Sequence, residues 1–309
     1  MINPRSSPSM ITANIACFMA MLMWAVGFPT GQILLETWGA ISLNSVRLLI
    51  AVVSLMFFWI VSEGMPTVLA APWRLGLTVG GIGFGFGSLL LLVGQKMSDP
   101  VTPTIVAAMM PIAGASIEVV LDKRKLHLQL LGGIVLVMVG GLLATGVRLS
   151  NGKFGLGAMF CLLAIFLFAW ATRKTTRDFQ TLSSLGQTTI TLVGAFVITL
   201  FVHGSFLVLG FGETEIGNMD SNNIMLLLIF SLPAIAFSQL LWIWAAGRLG
   251  ILMASLHMNA VPFYVMLILV MFLGDPWGWD QGIGAVLVAT GVLLAQAPVP
   301  KKVVPCKIN

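Results

Sequence analysis

Apolar residues fill this chain in long blocks, and polar residues are confined to short gaps between them. The blocks lie at 11–35, 41–62, 73–95, 102–121, 128–147, 154–172, 183–210, 224–246, 252–273 and 281–297. Roughly 20 apolar residues cross the hydrocarbon core of a bilayer, so each block reads as one span. Hydrocarbon offers no partner to a peptide N–H or C=O, and spans this apolar are therefore expected to be helices. The first block is too long for the apolar core of a signal peptide and a second follows at once, which predicts a retained helix. The gaps leave no room for a soluble domain between spans. The longest gap, FGETEIGNMDSNN at 211–223, is acidic and reads as a surface loop.

The pattern is written twice. Thr104–Gly141 and Ser255–Gly291 align under a shift of 151 residues, which places Thr104 on Ser255, Pro111 on Pro262, Gly133 on Gly284 and Gly140 on Gly291. Each copy has an apolar segment with a proline inside, an aspartate (Asp122, Asp275), and a second apolar segment carrying glycines seven apart. A duplicated unit follows. Five spans per unit is an odd number, so the second unit must cross the membrane in the opposite sense. The expectation is an all-α integral membrane protein of ten transmembrane helices. Residues 1–150 form a first five-helix repeat, 151–297 an inverted second one, and 298–309 a cytoplasmic tail. Inverted repeats place a transported solute near the midplane, in a central cavity between the halves.

Composition agrees with a lipid environment. Of 309 residues 58% are hydrophobic and 9% charged, against about 25% charged in a soluble domain. The net charge of +5 does not indicate nucleic acid, because the basic residues sit in gaps between spans. There they act as an orientation signal. With the amino terminus inside, twelve of the sixteen lysines and arginines, including Lys123–Lys125, Arg173, Lys174 and Arg177, fall on the cytoplasmic side, and only Lys96, Arg148 and Lys153 fall outside. Both termini are then cytoplasmic and the acidic loop is external. The three cysteines, Cys17, Cys161 and Cys306, have no metal-site or disulfide spacing.

The run LMWAVGFPTGQ (Leu22–Gln32), Arg47 in the second span, and the Pro…Asp…Gly…Gly hairpin near the end of both halves resemble the drug/metabolite transporter superfamily, EamA-type branch. The likeness covers nearly the whole chain. Asp122 and Asp275 stand where that family usually has glutamate. The resemblance implies ten helices, a central cavity built from spans 1, 3, 4, 6, 8 and 9, and spans 5 and 10 at the periphery. It also implies ATP-independent movement of small metabolites such as amino acids. At Arg47 the family commonly has arginine, and its expected role is to orient the loop between spans 1 and 2 or the cavity mouth.

Candidate residues follow from helical faces. Trp24, Phe28 and Gln32 recur at four-residue intervals along span 1, either as a packing ridge or as a cavity wall, and Trp170 occupies the matching span of the second half. In span 3, Gly76, Gly80, Gly83 and Gly87 form one close-contact face with small-xxx-small spacing, and Phe84, Ser88 and Gln95 form another. Ser88 aligns with Gln239, and Trp242 lies nearly one turn beyond it, so both halves offer polar groups at similar depth. Pro111 and Pro262 should free the carbonyls of Ala107 and Met258 and kink their helices, which makes them hinge candidates. In span 9, Asn259 is a pocket candidate because a lone amide facing lipid is costly. His257, on the opposite face, is either a neutral imidazole bonded to a neighbouring helix or a proton carrier. Arg47 and Glu118 are the ionisable residues inside spans; Glu118 reads as half of a structural or gating ion pair.

No HExxH, GxSxG, Walker or strand-borne GxGxxG motif is present, so neither an intramembrane enzyme nor an ATP-driven pump is indicated, and no cofactor is implied. Carriers of phosphorylated cargo should bury several Lys or Arg, and Arg47 is the clear instance here. Neutral or zwitterionic cargo is therefore expected, aromatic and apolar amino acids first, with lipophilic cations as the alternative.

Overall fold

Helices are the only regular structure among the described residues of the computed structural model, which covers 10–122, 153–277 and 279–296 with five single positions between 132 and 139. The first half comprises α1 (Met10–Leu35), α2 (Ala40–Glu63), a short α3 (Met65–Leu69), α4 (Trp73–Lys96), α5 (Thr102–Ala107) and α6 (Met110–Asp122). The second comprises α7 (Lys153–Asp178), α8 (Ser184–Val208), α9 (Ser221–Leu249), α10 (Ile251–Ser255), α11 (Val261–Ile268) and α12 (Trp279–Gln296). Six of them, α1, α2, α4, α7, α8 and α9, are long and apolar enough to cross a membrane. The span expected over 128–147, the tail at 298–309 and the side chains of Glu118 and Asp122 lie outside the described residues.

Two expected spans depart from a single kinked helix. The run 102–121 is interrupted at Ala108–Met109, and the run 252–273 passes through a 3₁₀ stretch at Leu256–Ala260. In both, the helix restarts so that the proline takes its second position: Pro111 in α6, Pro262 in α11. A proline in the first helical turn has no N–H to lose, because the donors there have no intrahelical acceptor. The chain rewinds around one carbonyl, with Ile112 N–H and Ala113 N–H both donating to Met109 O at 2.9 and 3.0 Å. A break replaces the expected kink.

The repeat is visible in the packing. Helix α1 lies against α9 and α11, while α7, its counterpart, lies against α4 and the α5–α6 pair. Likewise α2 packs on α9 as α8 packs on α4, and α2 and α8 meet each other. Each of these contacts has its equivalent in the other half. Even an irregularity is shared: π-helical turns at Gly80–Gly85 in α4 and Leu232–Phe237 in α9 fall within one residue of equivalence.

Helix α4 sits between α7 and α8 because its glycines allow it. A Cβ on Gly80 would stand 1.9 Å from Thr191 O on α8, and one on Gly83 would stand 2.2 Å from Ala171 Cβ on α7. The four glycines expected on one face thus serve two. Gly76 and Gly80 meet α8; Gly83 and Gly87 meet α7. The π turn between them adds a residue to the helical repeat and rotates the later pair onto a different neighbour.

The loop after α8 caps α2. Gly39 N–H donates to Glu215 O (2.9 Å), Ile41 N–H to Glu213 O (3.1 Å), and Ala40 N–H to the Glu213 carboxylate (2.9 Å). These are the donors a helix start leaves without intrahelical acceptors. Lys96 Nζ closes the arrangement at 2.8 Å from Glu213 Oε2. Glu213 itself holds φ at +73°, a backbone state that persists only where surroundings over-determine it. Burial by itself would raise the Glu213 pKa, but the Ala40 N–H and the Lys96 ammonium outweigh it and hold the carboxyl below its ordinary value.

Candidate functional site

Where the two repeats meet, a cavity of about 80 Å³ remains. Its wall is mostly apolar, with six aromatic rings among the lining side chains. Trp24 and Phe28 of α1 stack edge to face at 5.0 Å, Phe84 of α4 faces Phe168 of α7 at 6.1 Å, and Phe230 and Trp242 come from α9. Met21, Met110 and Met258 add unbranched thioethers, side chains that reshape around a guest at little cost.

The polar groups are few and fixed. Ser88 donates to Gly85 O (3.0 Å), the last residue of the α4 π turn, and Ser238 donates to Ala234 O (2.7 Å) within the α9 π turn. Both serines line the cavity. Gln95 reaches across from α4 to Phe28 O at 2.7 Å. Trp242 Nε1–H points to Thr172 Oγ1 at 3.3 Å, which ties α9 to α7. Gln239 also lines the cavity, and its buried Nε2 meets no acceptor.

Among the described residues Arg47 is the one charged residue in the lining, and its surface is only 4% exposed. Its Nε–H donates to Asn44 Oδ1 (2.8 Å), while Asn44 Nδ2 donates to Ser88 Oγ (3.0 Å) and Thr199 Oγ1 (3.2 Å). Asn44 thus joins α2, α4 and α8 and sets the guanidinium plane, which lies 4.5 Å from the centre of the Phe230 ring. Among the described residues no hydrogen bond or ion pair joins Arg47 to the α1–α2 loop at residues 36–39, and Arg47 stands instead in the cavity wall.

Of the residues singled out from sequence, Trp24, Phe28, Phe84, Ser88, Gln239, Trp242 and Arg47 come together in this lining. Trp170, Asn259 and His257 do not. Trp170 is half-buried in the core beside the cavity, and Phe168 and Thr172 project in its place. Residues two apart on an α-helix face nearly opposite sides, so a tryptophan between two lining positions must point away. The 3₁₀ turn at 256–260 has three residues per turn, and it directs Met258 inward while the side chains on either side diverge. Asn259 is buried elsewhere with its Oδ1 unpartnered, and His257 Nδ1 lies 3.3 Å from Ala254 O of its own segment rather than against a neighbouring helix. Pro111 and Pro262 stand outside the wall, although Met110 and Met258 beside the two breaks are part of it. Helices α2 and α8 also contribute, through Arg47, Leu48 and Leu192, beyond the six spans expected. Asn44 and Thr172 were not singled out; small polar residues in apolar runs carry no local mark of a long-range hydrogen bond.

Comparison with known proteins gives two independent results. Residues 11–146 and residues 155–296 each match the model of the EamA-like transporter family. A solved crystal structure superposes with a TM-score of 0.69 over 93% of this chain and 98% of the other at 15% identity, a likeness of fold. No curated protein sequence matches.

Proposed function

The chain belongs to the EamA-like transporter family, and from that premise we propose a secondary transporter that exports small zwitterionic or neutral metabolites by alternating access, without ATP. It is a multi-pass integral membrane protein. The reading places it in the cell inner membrane with both termini in the cytoplasm, from the distribution of basic residues. Aromatic and apolar amino acids are the first candidates. The observation that carries this is a cavity walled by aromatic residues of both repeats and dotted with a few oriented polar groups, the usual composition of a small-molecule site.

Charge favours amino acids over the multidrug alternative. The cavity lining carries a guanidinium and, among the described residues, no carboxylate, so a lipophilic cation would meet repulsion without a counter-charge. His257, the proton-carrier candidate, is not in the wall.

The test is flux through the purified chain in proteoliposomes loaded with labelled L-phenylalanine, with and without a pH gradient. Saturable, ATP-independent release above protein-free vesicles is expected. Release no faster than from empty liposomes across the twenty amino acids would end this reading.

A further inference from the structure

Arg47 is placed as a ligand would need it and as a structural residue would not. A buried guanidinium in a membrane-spanning helix is costly unless a carboxylate or several acceptors face it. Among the described residues it has one acceptor, Asn44 Oδ1, which takes the Nε–H. No salt bridge to Arg47 exists among the described residues, and its two terminal nitrogens have no protein acceptor there. The flat side rests on Phe230, which steers the plane and leaves the Nη1/Nη2 end for the cavity that Arg47 lines.

We propose that this end is the anion subsite of the cavity and that the transported solute is a monocarboxylate, amino acids among them, whose carboxylate accepts two parallel hydrogen bonds from Arg47 Nη1 and Nη2. The planar guanidinium fork matches a carboxylate in this bidentate way. One cation among the described lining residues suits a singly charged group and not a phosphate dianion. The Asn44 hub holds the fork through Ser88 and Thr199, so the subsite is organised before a ligand arrives. The aromatic wall takes the apolar body, and the unpartnered Gln239 Nε2 offers a further donor in the same space. The proposal rests on the transport reading and makes the carboxylate, rather than net neutrality, the mark of its substrate.

Three probes separate the two ideas in proteoliposomes of the full chain: L-phenylalanine, L-phenylalaninamide, which lacks the carboxylate, and 3-phenylpropionate, which lacks the ammonium. The wild type should take the two carboxylates at least about 10-fold more effectively than the amide, as the loss of a hydrogen-bonded charge implies. Arg47→Gln should raise their half-saturation by roughly 10- to 100-fold and erase the preference, with Arg47→Lys between the two. Equal handling of L-phenylalanine and its amide by the wild type, or a preference that survives Arg47→Gln, overturns the subsite and leaves transport standing. Flux of none of the three removes the transport reading, and the subsite with it. If Arg47→Gln does not insert, the wild-type preference decides alone.

Discussion

Replacing Gly80 by alanine tests whether the α4–α8 contact is as close as described. The added Cβ would lie 1.9 Å from Thr191 O, 2.6 Å from its carbonyl carbon and 2.8 Å from its Cα. All three atoms are backbone, so no rotamer change can relieve the overlap. Real Cβ contacts essentially never fall below 3.0 Å, which requires the two helices to separate locally by about 1 Å or more. Overpacking of this kind costs about 1–3 kcal/mol, with the upper end expected where backbone meets backbone. Alanine recovers about 1 kcal/mol of helix propensity over glycine, leaving a net loss of up to about 2 kcal/mol. Gly204 in α8 is the control, since a Cβ there meets nothing within 4 Å and only the propensity gain applies. Melting of the detergent-solubilised protein, followed by tryptophan fluorescence, should show Gly80→Ala several degrees below wild type and Gly204→Ala level with it or above. A Gly80→Ala protein that melts with the wild type would mean the helices are not in contact at that point.

Three further outcomes are expected. Because the Glu213 carboxyl is held below its ordinary value, its contribution is complete above the usual carboxylate range near pH 4.3 and fades only as pH falls through the depressed folded value. Hydrogen exchange at Gly39 and Ile41 should therefore stay slow from pH 8 to 5, and Glu213→Gln should speed it throughout that range; identical exchange in both proteins refutes the capping role. Thr172→Val removes the acceptor of Trp242 Nε1–H and should raise the half-saturation for L-phenylalanine several-fold, toward the roughly 10-fold that about 1.4 kcal/mol represents. Trp170→Phe should leave it unchanged, and the reverse order would contradict the lining described. Pro111→Ala and Pro262→Ala restore a backbone donor at each helix break and should lower turnover while leaving binding of L-phenylalanine intact. Undiminished turnover in both variants excludes the breaks as hinges.

Much of the architecture could be read from the chain because it follows from solvent and symmetry. Apolar runs of span length announce helices in lipid, and the 151-residue shift announces the repeat that the paired helix contacts display. The same logic placed Ser88 and Gln239, related by that shift, in one lining. What escaped was helical phase. The π turns at Gly80–Gly85 and Leu232–Phe237 and the 3₁₀ turn at Leu256–Ala260 each alter the residues per turn, and nothing local in the sequence signals them. A face drawn with 3.6 residues per turn therefore breaks at some of these irregularities, as Asn259 and the two glycine pairs of α4 show. Trp170 lies outside the lining for another reason: position outranks residue type there, and Phe168 and Thr172, four apart, carry the periodic signal. Asn44 illustrates a third limit. Its partners lie 44 and 155 residues away, and an amide within an apolar run gives no sign of which distant hydroxyls it will meet.

The cap that residues 213–215 place on α2 also governs how that end of the molecule can open. The bonds to Gly39, Ala40 and Ile41 and the ion pair to Lys96 converge on one short stretch, whose key residue holds a conformation it would leave if released. Loosening one bond frees little while the others hold, and once they are gone nothing keeps Glu213 at positive φ. Any parting of this end would therefore have to break these bonds and the ion pair together.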